Sequence, residues 1–445
     1  MDQNIQMLID SFKIYFNHVV QTQQLNLNEF VQFMEPRFAA AGYRQNTTPP
    51  QKWRQNNILI ITDCGAGDFV VTSGAIREIR RLYPNDHITL SAQLNFGNLP
   101  ELCPYVDEVL IRPLGYNPMI FGNFFIRDIE FAAPLLERKF DVCFNFGHWI
   151  GEAFLSYMSG AKLRITFDRN LKDPYQRFKD DDPLMELVIS VNTFTNYLVK
   201  PDKFFDLHAV NIAFSLVDGI LGVPVANREL EIWYSPFEFS QAKNLLNALP
   251  GKIYAMCFGG TSLKKHYPPE MYAKLVEMIL NEDPTATFIL LGGGKIDSDS
   301  AKVFEKSLDE KYQKNILNLI ERTNYRQTAA ILKLCDMYIG NDTSTVHIAA
   351  AVKCPVLVQN CFPLDIPKYY NDIPRIFSPY MVPSVTIQPK HALPECASNT
   401  KHDQYGCVSG IPHCITQIKP ESIFRGFKLL QQRIAENNIE PLFIY

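Results

Sequence analysis

Asp68 is the first residue of this 445-residue chain whose type and position could do chemistry. It ends the segment Asp63-Cys64-Gly65-Ala66-Gly67-Asp68, between an apolar run and an amphipathic stretch. Gly65 and Gly67 let the backbone approach a ligand closely, and the start of a helix offers free N–H groups. A carboxylate in such a loop can take a proton from a hydroxyl nucleophile, whereas Asp is also a preferred helix N-cap. Both interpretations of Asp68 stand at this stage.

A second loop, 259–268, combines flexible backbone with a positive charge. Gly259 and Gly260 open the backbone, Thr261 offers a hydroxyl, and Lys265 offers a point charge suited to a phosphate oxygen. The P-loop pattern is absent, so this is a phosphate site of another kind or a solvated loop.

A third loop precedes an alanine-rich stretch that predicts a helix over 346–351. A cap residue followed by free helical N–H groups forms an anion site, although a capped helix needs no ligand. His347 would face either the ligand or the core. The candidate residues here are Asp342, Thr343, Ser344, Thr345 and His347.

A fourth loop begins with Gly292, Gly293 and Gly294. Three glycines allow a flat group such as a nucleobase or ribose to lie against the backbone, and Asp297 could accept hydrogen bonds from ribose hydroxyls. Turn formation alone explains the glycines equally well.

Cys396, Cys407 and Cys414 lie in a polar stretch that also contains histidines. Three thiolates with a fourth nitrogen or sulfur ligand suit a closed structural zinc or iron site, and unmetallated thiols are the alternative. The other cysteines lie in apolar stretches and are expected to be reduced core thiols: Cys64, Cys103, Cys143, Cys257, Cys335, Cys354 and Cys361.

The elements that must position these loops follow from hydrophobic patterning. Short apolar runs alternate with amphipathic stretches from residue 57 onward, which is typical of parallel sheets covered by helices. Such sheets bind ligands at the carboxyl ends of their strands. The pattern predicts strands at 57–62, 87–92, 108–111, 141–146, 252–258, 286–291, 337–339 and 355–359, and helices at 70–82, 269–281, 326–334, 346–351 and 421–436.

The same patterning divides the chain into four parts. We expect an N-terminal helical extension and linker at 1–56, an α/β domain at 57–235, a second α/β domain at 236–420, and a C-terminal helix and tail at 421–445. The apolar faces of the extension need cover, so it should pack on the main body or on a second copy of the chain, which would make a homo-oligomer.

The composition limits the kinds of binding partner and the cellular location that we expect for this protein. With 43 basic and 47 acidic residues the formal charge is −4, which provides no field to gather nucleic acid or an anionic bilayer. No secretory signal is visible and the apolar runs are far too short to cross a bilayer, so we expect a cytoplasmic protein.

Several ordered motifs together resemble glycosyltransferase family nine, the bacterial heptosyltransferases, over about residues 57–425. This resemblance implies the GT-B fold, in which two Rossmann-like parallel-sheet domains face a cleft. The motifs are Gly67-Asp68, then Ile76-Arg77-x-Ile79-Arg80-x-Leu82-Tyr83-Pro84 with Val106-Asp107-Glu108-Val109, then Lys265-His266-Tyr267-Pro268, and Gly340-Asn341-Asp342-Thr343 with His347-Ile348-Ala349-Ala350-Ala351.

The resemblance also implies an activity. Family members move a sugar from a nucleotide donor, typically ADP-heptose, to an acceptor hydroxyl with inversion and without a catalytic metal. Carried over, Asp68 looks like the general base, Thr261 and Lys265 look like diphosphate contacts, and residues 342–347 look like the helix-terminal site for the donor phosphate and sugar. From the residues themselves we expect Gly65 and Gly67 in the acceptor-side loop, and Gly259, Gly260, Gly292 and Gly293 in the donor site. The acceptor would be a surface glycan such as the lipopolysaccharide core, or a protein, and work at the inner face of the plasma membrane would involve peripheral contact at most.

Two alternatives remain beside this interpretation. One is a nucleotide-sugar-binding protein without turnover, and the other is a sugar-nucleotide epimerase of the same fold. The chain also departs from the family, because Ser344 stands where a glycine usually follows the Asp-Thr pair, and residues 1–56 exceed the usual start.

Overall fold

A computed structural model describes residues 2–22, 26–46, 56–62, 65–112, 121–147, 150–167, 194–199, 208–260, 262–365, 373–392 and 412–445. The chain forms two compact units. Unit 1 comprises Met1–Phe204 and Val210–Arg228, and unit 2 comprises Phe205–Ala209 and Glu229–Tyr445. Within the described residues, every helix is too short or too polar to cross a membrane.

Unit 1 is built on a six-stranded parallel sheet with the order β3-β2-β1-β4-β5-β6. Its strands are β1 (Asn57–Ile61), β2 (His87–Gln93), β3 (Glu108–Arg112), β4 (Val142–Asn145), β5 (Leu163–Phe167) and β6 (Tyr197–Val199). Its helices are α1 (Gln3–Thr22), α2 (Leu27–Ala40), α3 (Ala66–Leu82), α4 (Phe121–Arg138), α5 (Ile150–Met158) and α6 (Ala209–Leu221).

Strand β1 lies at the centre of this sheet because it is apolar on both faces. Ile58, Leu59, Ile60 and Ile61 are fully buried, as expected for a parallel strand covered by helices on both sides. Ile58 pairs with Ile88 of β2 on one side and with Val142 of β4 on the other. The chain order reverses between β1 and β4, so the loop that follows β1 lies at a topological switch point, where open α/β sheets bind ligands.

Unit 2 contains a seven-stranded parallel sheet with the order β13-β12-β11-β10-β7-β8-β9. The order reverses between β7 and β10, which places a second switch point after these two strands. The strands are β7 (Ile253–Cys257), β8 (Thr287–Leu290), β9 (Ile316–Asn318), β10 (Met337–Asn341), β11 (Val356–Gln359), β12 (Ser384–Ile387) and β13 (Leu442–Ile444). The helices are α7 (Pro236–Leu246), α8 (Pro269–Glu282), α9 (Gly294–Ser307), α10 (Tyr325–Leu332), α11 (Ser344–Ala351) and α12 (Pro420–Ala435).

The N-terminal extension packs on unit 1 of the same chain. The apolar faces of α1 and α2 join buried residues of α4 and α5 in one core cluster. Phe30, for example, contacts Phe16 of α1 and Phe154 of α5 with ring centroids 5.3 Å apart in both pairs. The main body therefore covers these faces, and the homo-oligomer stays a prediction.

Two helices begin earlier than the sequence pattern indicates. Helix α3 starts at Ala66 rather than at Val70, with Gly65 as its N-cap, so Asp68 lies inside the first turn and is not the cap itself. Helix α11 starts at Ser344 rather than at Val346, because the Thr343 side chain accepts a hydrogen bond from the Thr345 N–H and satisfies the first turn. The C-terminal tail also adds strand β13, which pairs in parallel with β12.

The predicted core thiols within the described residues are buried, as expected: Cys103, Cys143, Cys257, Cys335, Cys354 and Cys361. Cys64 lies outside the described residues.

Candidate active site

In the loop after β1, the carboxylate of Asp68 lies next to Gly65, the N-cap residue of helix α3. Asp68 is half-buried in the first turn of α3, and a Cβ atom placed on Gly65 would lie 2.3 Å from Asp68 Oδ2. Glycine at position 65 therefore makes room for this carboxylate. The N-terminal end of a helix stabilises a negative charge, so it favours the ionised form of this carboxylate.

The loops after β7 and β10 meet at the second switch point. Lys265 lies in the short 3₁₀ helix Leu263–Lys265, and its Nζ is 3.0 Å from Oδ2 of the buried Asp342. The Asn360 side-chain amide, just beyond β11, donates to the same oxygen at 3.4 Å. Lys265 keeps 27% of its side chain exposed, so it is oriented by Asp342 and still accessible to an anionic ligand.

Helix α11 starts beside this ion pair. Its cap residue Thr343 is followed by Ser344 and Thr345, so hydroxyl groups and first-turn N–H groups lie together. This is the arrangement that binds phosphate groups at helix N-termini. Burial raises the pKa of Tyr325, and the side chain of Ser344, which stands where the family usually has glycine, opposes that shift.

His347 lies on the same helix with its ring buried. Its Nδ1 is buried and has no hydrogen-bond partner among the described residues. Burial lowers the pKa of His347 from 6.5 to about 4; Asp342 opposes this shift and Lys265 adds to it. The imidazole is therefore neutral at pH 7, and Nδ1 has an unmet hydrogen-bonding capacity that a ligand group can fill.

The two glycine loops of unit 2 are packed onto Asp297 rather than open. The Gly293 N–H donates to Asp297 Oδ2 at 3.0 Å, and a Cβ on Gly259 or on Gly292 would lie 2.6 Å or less from a carboxylate oxygen. Burial raises the pKa of Asp297, and backbone N–H groups oppose that shift. The Asp297 carboxylate, which the sequence suggested for ribose, braces these loops, and its contact with ribose stays a prediction. A side chain at position 259 or 292 would have to displace this carboxylate.

Gly260 differs from these glycines, because the nearest atom to its Cβ position is Lys265 Cβ at 3.4 Å, an ordinary contact. Its carbonyl oxygen instead accepts a hydrogen bond from His266 Nε2 at 2.8 Å. This bond fixes the loop that carries Lys265.

Some predicted site residues cannot be placed. Thr261, Cys396 and Cys407 lie outside the described residues, and Cys414 is buried next to His413. The described part of the chain contains no group of three or more His, Cys, Asp or Glu side chains suited to a metal ion. The structural zinc or iron site stays a prediction.

Sequence reasoning missed two residues near this site. Asn360 could have been found, because it follows a predicted strand at the same sheet edge as Asp342. His208 carried no such signal. It belongs to the short segment Phe205–Ala209 of unit 2, far in sequence from its partners. Its Nε2 is 2.8 Å from the Ser378 carbonyl oxygen, and its ring contacts Tyr380.

The Arg80 and Asp107 motif of unit 1 is structural. Their side chains form an ion pair, and Asp107 also accepts from the Ile88 N–H at 2.7 Å. Arg80 further donates to the carbonyl oxygens of Tyr105 and Asp86. These bonds tie helix α3 to the starts of β2 and β3, on the opposite edge from Asp68.

Comparison with known proteins identifies the family to which this chain belongs. The model of glycosyltransferase family 9 (heptosyltransferase) matches residues 129–358, more than half of the chain. The chain belongs to this family. It is therefore a glycosyltransferase, and the family and the activity class that the motifs indicated are both confirmed.

Individual members of family nine are distant in sequence. Lipopolysaccharide heptosyltransferase 2 of Salmonella typhimurium is 22% identical over 307 residues, which cover 67% of this chain and 81% of that protein. The crystal structure of the family nine glycosyltransferase from Veillonella parvula superposes with a TM-score of 0.63 at 14% identity, covering 87% of this chain and 100% of that one. The structure of Escherichia coli ADP-heptose lipopolysaccharide heptosyltransferase II gives a TM-score of 0.56 at 16% identity, covering 85% and 99%. The predicted GT-B fold class is confirmed by these superpositions.

Proposed function

We propose that this family nine enzyme transfers heptose from ADP-heptose to a hydroxyl group of a surface glycan, the lipopolysaccharide core, with inversion at the anomeric carbon. The observation that carries the proposal is the position of the candidate residues. Asp68 follows β1 at the switch point of unit 1, while Lys265, Asp342, Thr343 and His347 surround the switch point of unit 2. The printed names of the relatives in Salmonella and Escherichia support the choice of sugar, nucleotide and acceptor.

The donor is assigned to unit 2. As the bond to the anomeric carbon breaks, negative charge accumulates on the departing diphosphate. Lys265 and the first-turn N–H groups of α11 stabilise that charge, and both are in place before the reaction starts. Asp342 holds Lys265 until the diphosphate competes for it, and His347 Nδ1 gains a hydrogen bond from a donor hydroxyl.

The acceptor is assigned to unit 1, where Asp68 removes the proton of the attacking hydroxyl. A well-placed general base contributes about 10²–10⁴-fold to the rate. Attack opposite the leaving group inverts the configuration of the anomeric carbon. In the proposed scheme Lys265 and the N-terminus of α11 stabilise the leaving group, and no catalytic metal takes part. We place this reaction in the cytoplasm, with the acceptor presented at the inner face of the plasma membrane.

A panel of nucleotide sugars tests the donor assignment. Ligand that binds the native state stabilises it by about 2.7 kcal/mol at 100 times Kd, which raises the melting temperature. ADP-heptose should raise it, whereas UDP- and GDP-sugars should not. A shift with a UDP- or GDP-sugar alone would contradict the proposed donor.

Lysine variants make this experiment specific to the site. Lys265→Ala should weaken donor binding at least ~10-fold, because it removes the positive charge that we assign to the diphosphate. Lys252→Ala is the matched control, since Lys252 also pairs with a carboxylate, Asp336, but at the amino end of β7. Equal donor affinities for the two variants would reject the role of Lys265.

The alternatives differ in their products. A protein that only binds nucleotide sugars would show the thermal shift but release no ADP. An epimerase would convert the nucleotide sugar into its epimer, with the nucleotide still attached and without any acceptor, whereas the proposed transferase releases ADP only when an acceptor is present. Replacement of the glycan by a protein substrate in the same assay distinguishes the two kinds of acceptor.

A further inference from the structure

A buried charged cluster lies at the carboxyl edge of the sheet in unit 1, where three elements end or begin. Arg112 is the last residue of β3, Gln93 is the last of β2, and Glu152 lies in the first turn of α5. Arg112 Nη1 is 3.3 Å from Glu152 Oε1, and the Gln93 side-chain amide donates to the same oxygen at 3.1 Å. The side chains of Arg112 and Glu152 are only 1% and 0% exposed.

Stability alone is a weak explanation for such a cluster. Removal of two charges from water is costly, and a buried ion pair is often no more stable than apolar residues of the same volume. The cluster also restricts the positions of its members, because separation of the two charges would leave each of them buried without a partner. Here it joins the ends of β2 and β3 to the start of α5. Gly147 is part of the same junction, since a Cβ there would lie 2.3 Å from Glu152.

The cluster connects to Asp68 through one aromatic contact. Gln93 leads directly into the 3₁₀ helix Leu94–Phe96, so the position of Gln93 sets that of Phe96. Phe96 is fully buried and stacks on Phe69, with ring centroids 5.3 Å apart and an interplanar angle of 28°. Phe69 is the residue after Asp68, and its N–H donates to the Gly65 carbonyl oxygen at 3.0 Å.

We propose that Gln93, Arg112, Glu152 and Phe96 form a positioning cluster that holds the first turn of α3, and with it the Asp68 carboxylate, in the geometry needed for acceptor deprotonation. None of the four is a catalytic residue, because each acts through the packing beneath Asp68. The inference rests on the proposed function of Asp68. It adds that the rate of transfer depends on residues of β2, β3 and α5 that contact no substrate.

The test compares two equal changes in equally buried phenylalanines of unit 1. Phe96→Leu loosens the support of Phe69, whereas Phe12→Leu makes the same change in the core between α1 and α2. Both should lower the melting temperature. Only Phe96→Leu should also lower kcat, by ~10-fold or more, since a misplacement near 1 Å costs ~100-fold. Kd for ADP should stay unchanged in both variants, because the donor loops belong to unit 2.

Asp68→Asn in the same transfer assay separates the two claims. If Asp68→Asn is inactive and Phe96→Leu keeps the kcat of Phe12→Leu, the positioning cluster is refuted while the proposed base stands. If Asp68→Asn transfers at the parent rate, the proposed base itself fails. Gln93→Met is the second variant, because it removes the amide donor at similar volume and leaves the ion pair in place. It should lower kcat with little change in the acceptor KM, and a parent-like kcat would overturn the proposal.

Discussion

Replacement of Gly65 by alanine should displace the Asp68 carboxylate without unfolding the protein. The new Cβ would lie 2.3 Å from Asp68 Oδ2, whereas ordinary contacts begin at 3.4 Å, so the carboxylate must move by about 1 Å. The atom that has to move is the far end of a flexible side chain, and Gly65 has a φ of −105° that alanine adopts without strain. We therefore expect a melting temperature close to that of the parent. Transfer should fall by ~100-fold, which is the usual cost of a misplacement of this size in a catalytic group.

The assay for Gly65→Ala measures acceptor-dependent release of ADP from ADP-heptose, together with the Kd for ADP. The Kd should not change, since the donor residues belong to unit 2. Gly260→Ala is a control for the melting temperature alone, because its Cβ would meet only an ordinary contact at 3.4 Å and because Gly260 itself lies in a donor loop. A Gly65→Ala protein that transfers heptose at the parent rate would refute the claim that this carboxylate must lie where the structure has it.

Two further predictions concern unit 2. Gly259→Ala should weaken donor binding and lower the melting temperature, as measured by nucleotide titration and thermal unfolding, because its Cβ would lie 2.6 Å from both oxygens of the buried Asp297. Unchanged values of both would contradict the bracing role of Asp297. The free energy of unfolding should also fall as the pH drops from 6.5 toward 4. Burial lowers the pKa of both His208 and His347 to about 4, so only the unfolded chain takes up these protons in that range. Each histidine contributes up to about 3 kcal/mol to this dependence. Urea titrations at several pH values between 8 and 5 give the free energy of unfolding as a function of pH. This free energy should change less steeply with pH in the His208→Gln, His347→Gln double variant than in the parent. An equal pH dependence in the two proteins would be inconsistent with these pKa values.

The architecture was predictable because hydrophobic patterning alone distinguishes buried parallel strands from amphipathic helices. The central strands β1, β7, β8, β10 and β11 lie within two residues of their predicted bounds. Since ligand sites of such sheets follow the strands at a switch point, the loops containing Asp68, Lys265 and Asp342 could also be found before the structure was known.

The start of helix α3 was not predictable from propensity. Gly65 and Gly67 suggest a loop, whereas the structure uses Gly65 as an N-cap and continues the helix through Gly67. The position of Asp68 within a first turn, and the space that Gly65 leaves for it, are consequences of local geometry that a residue pattern does not contain.

Other features depend on tertiary contacts between distant segments. Asp297 looks like a ligand-binding carboxylate after three glycines, but its own loop folds around it and buries it. Arg112 and Glu152 meet only because β3 ends and α5 begins at the same edge of the sheet. His208 reaches Ser378 across 170 positions of sequence. Spacing along the chain reports none of these contacts.

The most direct test of the account is a comparison of Asp68→Asn with the parent in acceptor-dependent transfer from ADP-heptose, with donor affinity measured on the same samples. The asparagine keeps the shape of the side chain and removes its capacity to accept a proton. The account predicts unchanged affinity for ADP-heptose and a transfer rate at least ~100-fold lower, as for the loss of a general base. Transfer at the parent rate, or a loss of donor binding that accounts for the whole decrease, would contradict it.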